Sequence, residues 1–256
     1  MSPGEPDIRV EFYEDETASA DPLKHFFPPK FMLVEEGDSF QFLGINGKQR
    51  RLGDLNRERD LGRIGLPMLD RAWRIKDERE FTEQALQGFL RACLQCRLLA
   101  EGGTFLHAAG VVMDGRGYAF VGHTRAGKTT LSRRFPPEEL LGDDLVAIRE
   151  SQGFNLFGTP WPGREGGRVG PGGFSLEAIF NLDRRRPRGL KRMYPAQAVA
   201  ELAVNAPRLG YEGEEVELLA IFSSASLALP IYNLSLSLED DVRAWLEAFG
   251  RGGGTP

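Results

Sequence analysis

Hydrophobic positions along the chain change their period several times, and each change predicts an element. Residues 8–13 alternate apolar with charged side chains as a half-buried strand does, and the short apolar runs at 31–34 and 39–43 predict two more strands. Asn46-Gly47 marks a tight turn, the Pro-rich stretch 21–30 reads as loop, and a Gly/Pro-rich connection follows residues 57–60. Residues 80–100 then carry apolar side chains at helical spacing, with Leu86, Phe89, Leu90 and Leu94 among them, until Glu101-Gly-Gly103 stops the helix. Residues 107–122 predict two antiparallel strands around a turn at 114–117. An apolar run over 140–148 predicts another strand, with Asp143 and Asp144 at its start. Further downstream the pattern gives strands at 154–158, 174–182 and 234–238 and helices at 195–206 and 214–221. A last helix spans 239–249, where Val242, Trp245, Leu246 and Phe249 form an i, i+3, i+4, i+7 stripe and Gly250 caps the end.

These elements divide into a β-rich N-terminal module at 1–78, an α/β domain with a leading helix at 79–250, and a tail at 251–256 with nothing to bury. The antiparallel pair over 107–122 argues against a purely parallel, doubly wound sheet, so the expected fold class is α/β with a mixed, partly antiparallel sheet.

The segment GHTRAGKT at 122–129 follows the apolar run Tyr118-Ala-Phe-Val121 and matches the phosphate-binding loop pattern GxxxxGK[ST]. Gly122 and Gly127 let the backbone turn its N–H groups of His123, Thr124, Arg125, Ala126 and their successors inward onto an anion. Lys128 adds a compact charge for the β- and γ-phosphates, and the Thr129 hydroxyl suits Mg²⁺. Residues 130–134, beginning at Thr130, read as the first turns of a helix whose N-terminal partial charge also faces the phosphates. Only 15 residues separate Lys128 from Asp143 (143 − 128), enough for one short helix and a turn. Neighbouring side chains on a strand point to opposite faces, so both carboxylates reach one site only if the backbone bends there. One carboxylate then holds Mg²⁺ while the other takes a proton from an attacking hydroxyl; the alternative is an ordinary Gly-Asp turn.

Residues 105–112 (FLHAAGVV), 117–122 (GYAFVG), the phosphate loop and Gly142-Asp-Asp144 together resemble the catalytic domain of HPr kinase/phosphorylase and HPr-kinase-related proteins. That domain is similar to the nucleotide-binding domain of ATP-dependent phosphoenolpyruvate carboxykinase. The resemblance extends more loosely through 157–163, 176–182 and 229–234. It implies a kinase that uses ATP and Mg²⁺ to phosphorylate a hydroxyl, commonly of serine, on a protein or peptide. His107 matches a histidine that precedes the hairpin in the family. The resemblance therefore implies Asp143 as proton acceptor with His107 assisting, Asp144 and Thr129 at the metal, and Lys128 on the phosphates. Related kinases often form hexamers, so a homo-oligomer is compatible with it. The bifunctional enzymes' phosphorolysis signature and their N-terminal domain have no counterpart here, so phosphorylase activity is not expected. His123 and Arg125 are unusual for the family and are expected to face solvent. A nucleotide-binding regulatory module and a small-molecule kinase are the alternatives.

Two loops offer acceptor contacts. Residues 160–168 combine Trp161, Arg164, Glu165 and Arg168 with glycines that permit close backbone approach; the alternative is a surface loop with Trp161 packed inward. The basic run Arg184-Arg-Arg-Pro-Arg188, with Lys191 and Arg192, suits phosphates or an acidic peptide, or is a solvated turn.

Composition narrows the setting. With 32 basic and 37 acidic residues, the net charge of −5 gives no general attraction to nucleic acid. No secretory signal is readable and no run reaches the ~20 apolar residues of a spanning helix, so a cytoplasmic protein without a membrane partner is expected. Cys93 and Cys96 form a CxxC inside the long helix; with only three histidines, none suitably spaced, they read as reduced thiols near the core. His25 reads as structural. The absence of an Asn-Lys-x-Asp motif disfavours a GTPase.

Overall fold

The computed structural model describes residues 8–14, 30–46, 48–66, 76–161, 163–165, 167, 172–183, 185, 187–237 and 240–252. The chain is mixed α/β and divides into two units: residues 1–100 with 208–215, and residues 101–207 with 216–256. The expected boundary at 78 therefore moves to Ala100, because the long helix belongs with the N-terminal strands. The turn at Gly47, the loop 21–29, the connection 67–75, Arg168 and the tail residues 253–256 lie outside the described residues.

In the first unit, β1 (Arg9–Glu14), β5 (Leu61–Leu66), β4 (Lys48–Asn56), β3 (Ser39–Asn46) and β2 (Lys30–Glu36) form one sheet in that order. β1 pairs with β5 in parallel and the other pairs are antiparallel. Helix α1 (Lys76–Ala100) buries Ala85, Phe89, Ala92, Cys93, Cys96 and Leu99, while Leu86, Leu90 and Leu94 are half-buried. Gly53 and Gly62 let it pack closely, since a Cβ at either would come within 3.2 Å of the Phe89 ring. Both cysteines are free and buried, and burial pushes the Cys93 thiol well above the ordinary range, as suits an inert core thiol. β4 and β5 are strands the hydrophobic pattern did not predict.

The second unit is built on a nine-stranded mixed sheet. Its main path runs β6 (Gly103–Leu106), β10 (Val146–Glu150), β11 (Phe154–Gly158), β12 (Gly173–Leu182), β8 (Arg116–Val121), β7 (Ala108–Met113) and β9 (Leu140–Gly142). β14 (Ile231–Ser235) pairs in parallel with β12, and β13 (Gly189–Arg192) pairs antiparallel with β14. β9 and β10 are separated by five inter-strand steps, roughly 24 Å in a flat sheet. Only residues 143–145 join them, a span of about 14 Å at most. His107 alone likewise joins β6 to β7. The sheet therefore curls until its ends meet, and both connections cross at the same opening: Leu106 pairs with Val146 on one side and Gly110 with Gly142 on the other.

β8 is buried from Gly117 to Val121, the pattern of an interior strand, and Tyr118, Phe120, Phe180, Trp245 and Leu246 pack together in the core. The last helix, α5 (Val242–Gly250), begins later than expected; its stripe buries Val242, Trp245 and Leu246, and the Asp241 carboxylate accepts from the Ala244 N–H at 3.0 Å as its cap. Helix α3 spans Pro195–Asn205, as predicted. Helix α4 (Glu214–Ala228) runs seven residues beyond its expected end, and β14 starts three residues before its expected start.

Candidate functional site

β8, β12 and β14 run parallel and in register, with Asn181 opposite both Val121 and Asn233, so their carboxyl ends share one edge. The segment that matches GxxxxGK[ST], residues 122–129, leaves β8 at that edge. Its turn needs the positive φ of Gly122 (150°) and Gly127 (113°), and Arg125 also takes a left-handed φ of 68°. A Cβ at Gly122 would lie 2.9 Å from the Ala126 Cβ and 3.0 Å from the Leu182 carbonyl oxygen, so the first glycine is sterically required. The Ala126 N–H donates to the His123 carbonyl at 3.0 Å and closes the turn. His123, Thr124 and Arg125 are exposed on its crest, as expected for the two unusual side chains.

The helix after the loop is α2 (Lys128–Ser132), which starts and ends two residues earlier than the 130–134 expectation. Phe135-Pro-Pro137 explains the early end: proline lacks the donor that would continue the helix and drives the preceding residue out of helical geometry. A 3-10 turn at Pro137–Glu139 then leads into β9.

Asp143 and Asp144 do not begin a strand. They form a bend between β9 and β10, and this break of the two-residue alternation brings both carboxylates to one cavity. His107 lies across from them, also between strands rather than on one, with Nδ1 3.9 Å from Asp144 Oδ1. The cavity is about 750 Å³ and is lined by His107, the whole loop from Gly122 to Thr130, Asp143, Asp144, Val204 and Asn205. Sequence positions 107, 122–130 and 143–144 thus converge.

The two aspartates differ in environment. The Asp144 side chain is 60% exposed, whereas Asp143 as a residue is only 4% exposed. Asp143 is covered by the segment 163–165: its Oδ1 accepts from the Glu165 N–H at 3.3 Å. Gly163, at φ 92°, permits this approach, since a Cβ there would fall 2.0 Å from Asp143 Oδ1. Arg133 just after α2 binds the Glu165 carboxylate at 2.9 Å and ties the segment to the loop's helix.

Lys128 Nζ donates to the Gly122 carbonyl at 2.5 Å. Burial holds its pKa below that of an ordinary lysine, partly opposed by the Asp144 charge. Lys128 is thus a partly desolvated ammonium folded onto the carbonyls of its own loop.

The expected acceptor residues are placed otherwise. Trp161 packs edge-on against Phe105 with ring centroids 6.3 Å apart, Arg164 is exposed, and neither they nor the Glu165 side chain line the cavity. The Glu165 backbone N–H does touch the candidate catalytic Asp143 side chain. The basic run is in part a strand: β13 takes Lys191 and Arg192, and Arg188 is paired with Asp240.

Sequence reasoning missed Asn205. It is 3% exposed at the end of α3; its Oδ1 accepts from the Gly122 N–H at 3.1 Å and its carbonyl accepts from the His107 N–H at 2.7 Å. One residue thereby fixes the first glycine of the loop against the histidine. Its only sequence signal is an amide at the end of an apolar-rich helix, which says nothing about a partner 83 residues away.

No protein-family profile matches the chain, and no curated protein matches it either. Among solved structures, the HPr(Ser) kinase/phosphatase from Coxiella burnetii is similar over 58% of this chain and 95% of its own, at 14% identity and a TM-score of 0.25. So low a score carries no chemistry across to this chain. Among the described residues no helix is long and apolar enough to cross a membrane.

Proposed function

We propose that the chain is an ATP- and Mg²⁺-dependent kinase that transfers the γ-phosphoryl group to a hydroxyl, that of serine first, on a protein or peptide. The observation that carries this reading is the single cavity shared by the phosphate loop, Lys128, His107, Asp143 and Asp144. Phosphoryl transfer asks a protein mainly for alignment and charge stabilisation, which such a set supplies.

Nucleotide-bound magnesium takes one or two carboxylates together with phosphate oxygens and keeps several waters. The exposed Asp144 carboxylate and the Thr129 hydroxyl, both on the cavity, fit that demand. Those two residues would hold the ion, which when bound neutralises charge on the β- and γ-oxygens. Loop amides and Lys128 hold the same phosphates from the protein side. The acceptor oxygen attacks the γ-phosphorus as the bond to the β–γ bridging oxygen breaks; ADP leaves with that electron pair, and the hydroxyl proton passes to Asp143. His107 assists by orienting the carboxylate pair. A cavity open to solvent, with Val204 62% exposed on its lining, supports a macromolecular acceptor over an enclosed metabolite.

The test is incubation of the full chain with γ-labelled ATP and lysate from its source cell. A labelled polypeptide that disappears with Asp143→Asn is expected. A labelled metabolite instead marks a small-molecule kinase, and free phosphate alone marks a nucleotide-binding regulatory module. Unchanged transfer by Asp143→Asn would remove the proposed base.

A further inference from the structure

A second cavity, of about 330 Å³, lies on the other flank of the phosphate loop. Ala126, Gly127 and Thr130 line both cavities, so the loop is the wall between them. Their linings differ. The first holds Lys128, His107 and the two aspartates; the second is walled mainly by Leu182, Leu234, Leu236 and Val242, with Arg134, Asp183 and Ser237 as its polar side chains beside the loop's own. Leu182 pairs with Leu234 across β12 and β14; Leu182 ends its strand and Leu234 is next to last in its own, at the edge where β8 gives way to the loop. The cavity therefore sits at the carboxyl ends of the parallel strands β12 and β14, beside the turn that leaves β8. The volume also falls within the roughly 300–1,000 Å³ of small-molecule sites.

A nucleoside triphosphate has the same division. Its polyphosphate is a compact anion, and its base is a flat, largely apolar ring with donors and acceptors on its edge. Resting on the phosphate-loop reading above, we infer that the second cavity receives the purine base, with Leu182, Leu234, Leu236 and Val242 against the ring and Asp183 facing its amino edge. The inference fixes the direction in which the nucleotide lies: base toward the ends of β12 and β14, γ-phosphate toward His107 and Asp144. It also makes the apolar cavity a determinant of nucleotide affinity that the GxxxxGK[ST] pattern alone does not contain.

Titration calorimetry on the full chain with Mg·ATP and with Mg·tripolyphosphate separates the two subsites. Wild type should bind Mg·ATP more tightly than tripolyphosphate. Leu236→Trp, which fills the cavity, should weaken Mg·ATP by about tenfold or more and leave tripolyphosphate within about twofold. Equal affinity of the wild type for both ligands, or undiminished Mg·ATP binding by Leu236→Trp, would overturn the base site and leave the phosphate loop intact. Should the added bulk impair both ligands, Leu236→Ala decides, since it removes wall without adding volume: selective weakening of Mg·ATP upholds the site, and any other result overturns it. Lys128→Ala should abolish binding of both ligands; if it leaves both unchanged, the phosphate-loop reading fails and the base site with it.

Discussion

Replacing Asn205 by alanine tests whether the end of α3 holds the phosphate loop in place. The side chain makes two bonds from a site only 3% exposed: Oδ1 accepts from the Gly122 N–H at 3.1 Å, and Nδ2 donates to the Glu201 carbonyl at 2.8 Å. Gly122 is itself buried, so its amide would lose its partner without gaining water. A buried donor stranded in this way costs about 1–3 kcal/mol, and the second bond and the small void bring the total to about 2–4 kcal/mol. For a unit of this size each kcal/mol moves the melting temperature by about 2–4 °C, so scanning calorimetry should show a fall of about 5–15 °C. Freed of its anchor, the loop must be reordered by the ligand, and Mg·ATP affinity should drop about tenfold. Asn205→Asp makes the complementary point. It keeps an acceptor for Gly122 but adds a negative charge on the cavity lining, so its affinity loss should shrink as salt is raised. A melting temperature within about 1 °C of wild type, together with unchanged affinity, would refute the reasoning.

Three further outcomes follow from the same geometry. Gly163→Ala places a Cβ 2.0 Å from Asp143 Oδ1 at a φ of 92°, so the segment must lift or the carboxylate must move; turnover should fall about a hundredfold with Mg·ATP affinity nearly unchanged, and wild-type turnover would contradict the proposed role of Asp143. Asp144→Asn should weaken the affinity for the Mg²⁺ that supports nucleotide binding, seen as a right-shifted metal titration; an unshifted titration would remove Asp144 from the ion. Lys128 provides a pH signature. Burial lowers its pKa in the free protein and a bound polyphosphate raises it again, so the affinity it contributes is fully present below the free-state pKa and is lost as pH rises through the bound-state pKa. Calorimetry in alkaline buffers of different ionisation enthalpy should therefore report proton uptake on binding, and uptake that persists in Lys128→Met would assign it elsewhere.

Elements whose signal is local were legible in the sequence. The turn at 122–129 is one, because its two glycines meet a steric demand within eight residues; the α5 stripe and the buried β8 are others. β4 and β5 were not. In Lys48–Asn56 charged residues stand side by side and interrupt the two-residue alternation, a bulge between Phe42 and Leu43 shifts its pairing, and Leu61–Leu66 is two-thirds glycine and leucine. β13 read as a basic run because Lys191 and Arg192 are exposed. The apolar spacing of α1 located a helix but could not say which sheet it covers, and the domain boundary shifted for that reason. At the site, His107, Asp143 and Asp144 were recognisable as residue types, but what joins them is the curled sheet: two kinked connections crossing at one opening is a property of strand pairing far apart in the chain. Asn205 belongs to the same class.

The central claim is that a polyphosphate lies in the turn at 122–129 with its terminal group beside the carboxylate pair. A crystal structure of the full chain with Mg²⁺ and a non-hydrolysable ATP analogue tests it most directly. Density is expected for the β- and γ-phosphates against the loop amides and Lys128, and for the ion against Thr129 and Asp144. Ordered analogue bound elsewhere, with that turn empty, would contradict it.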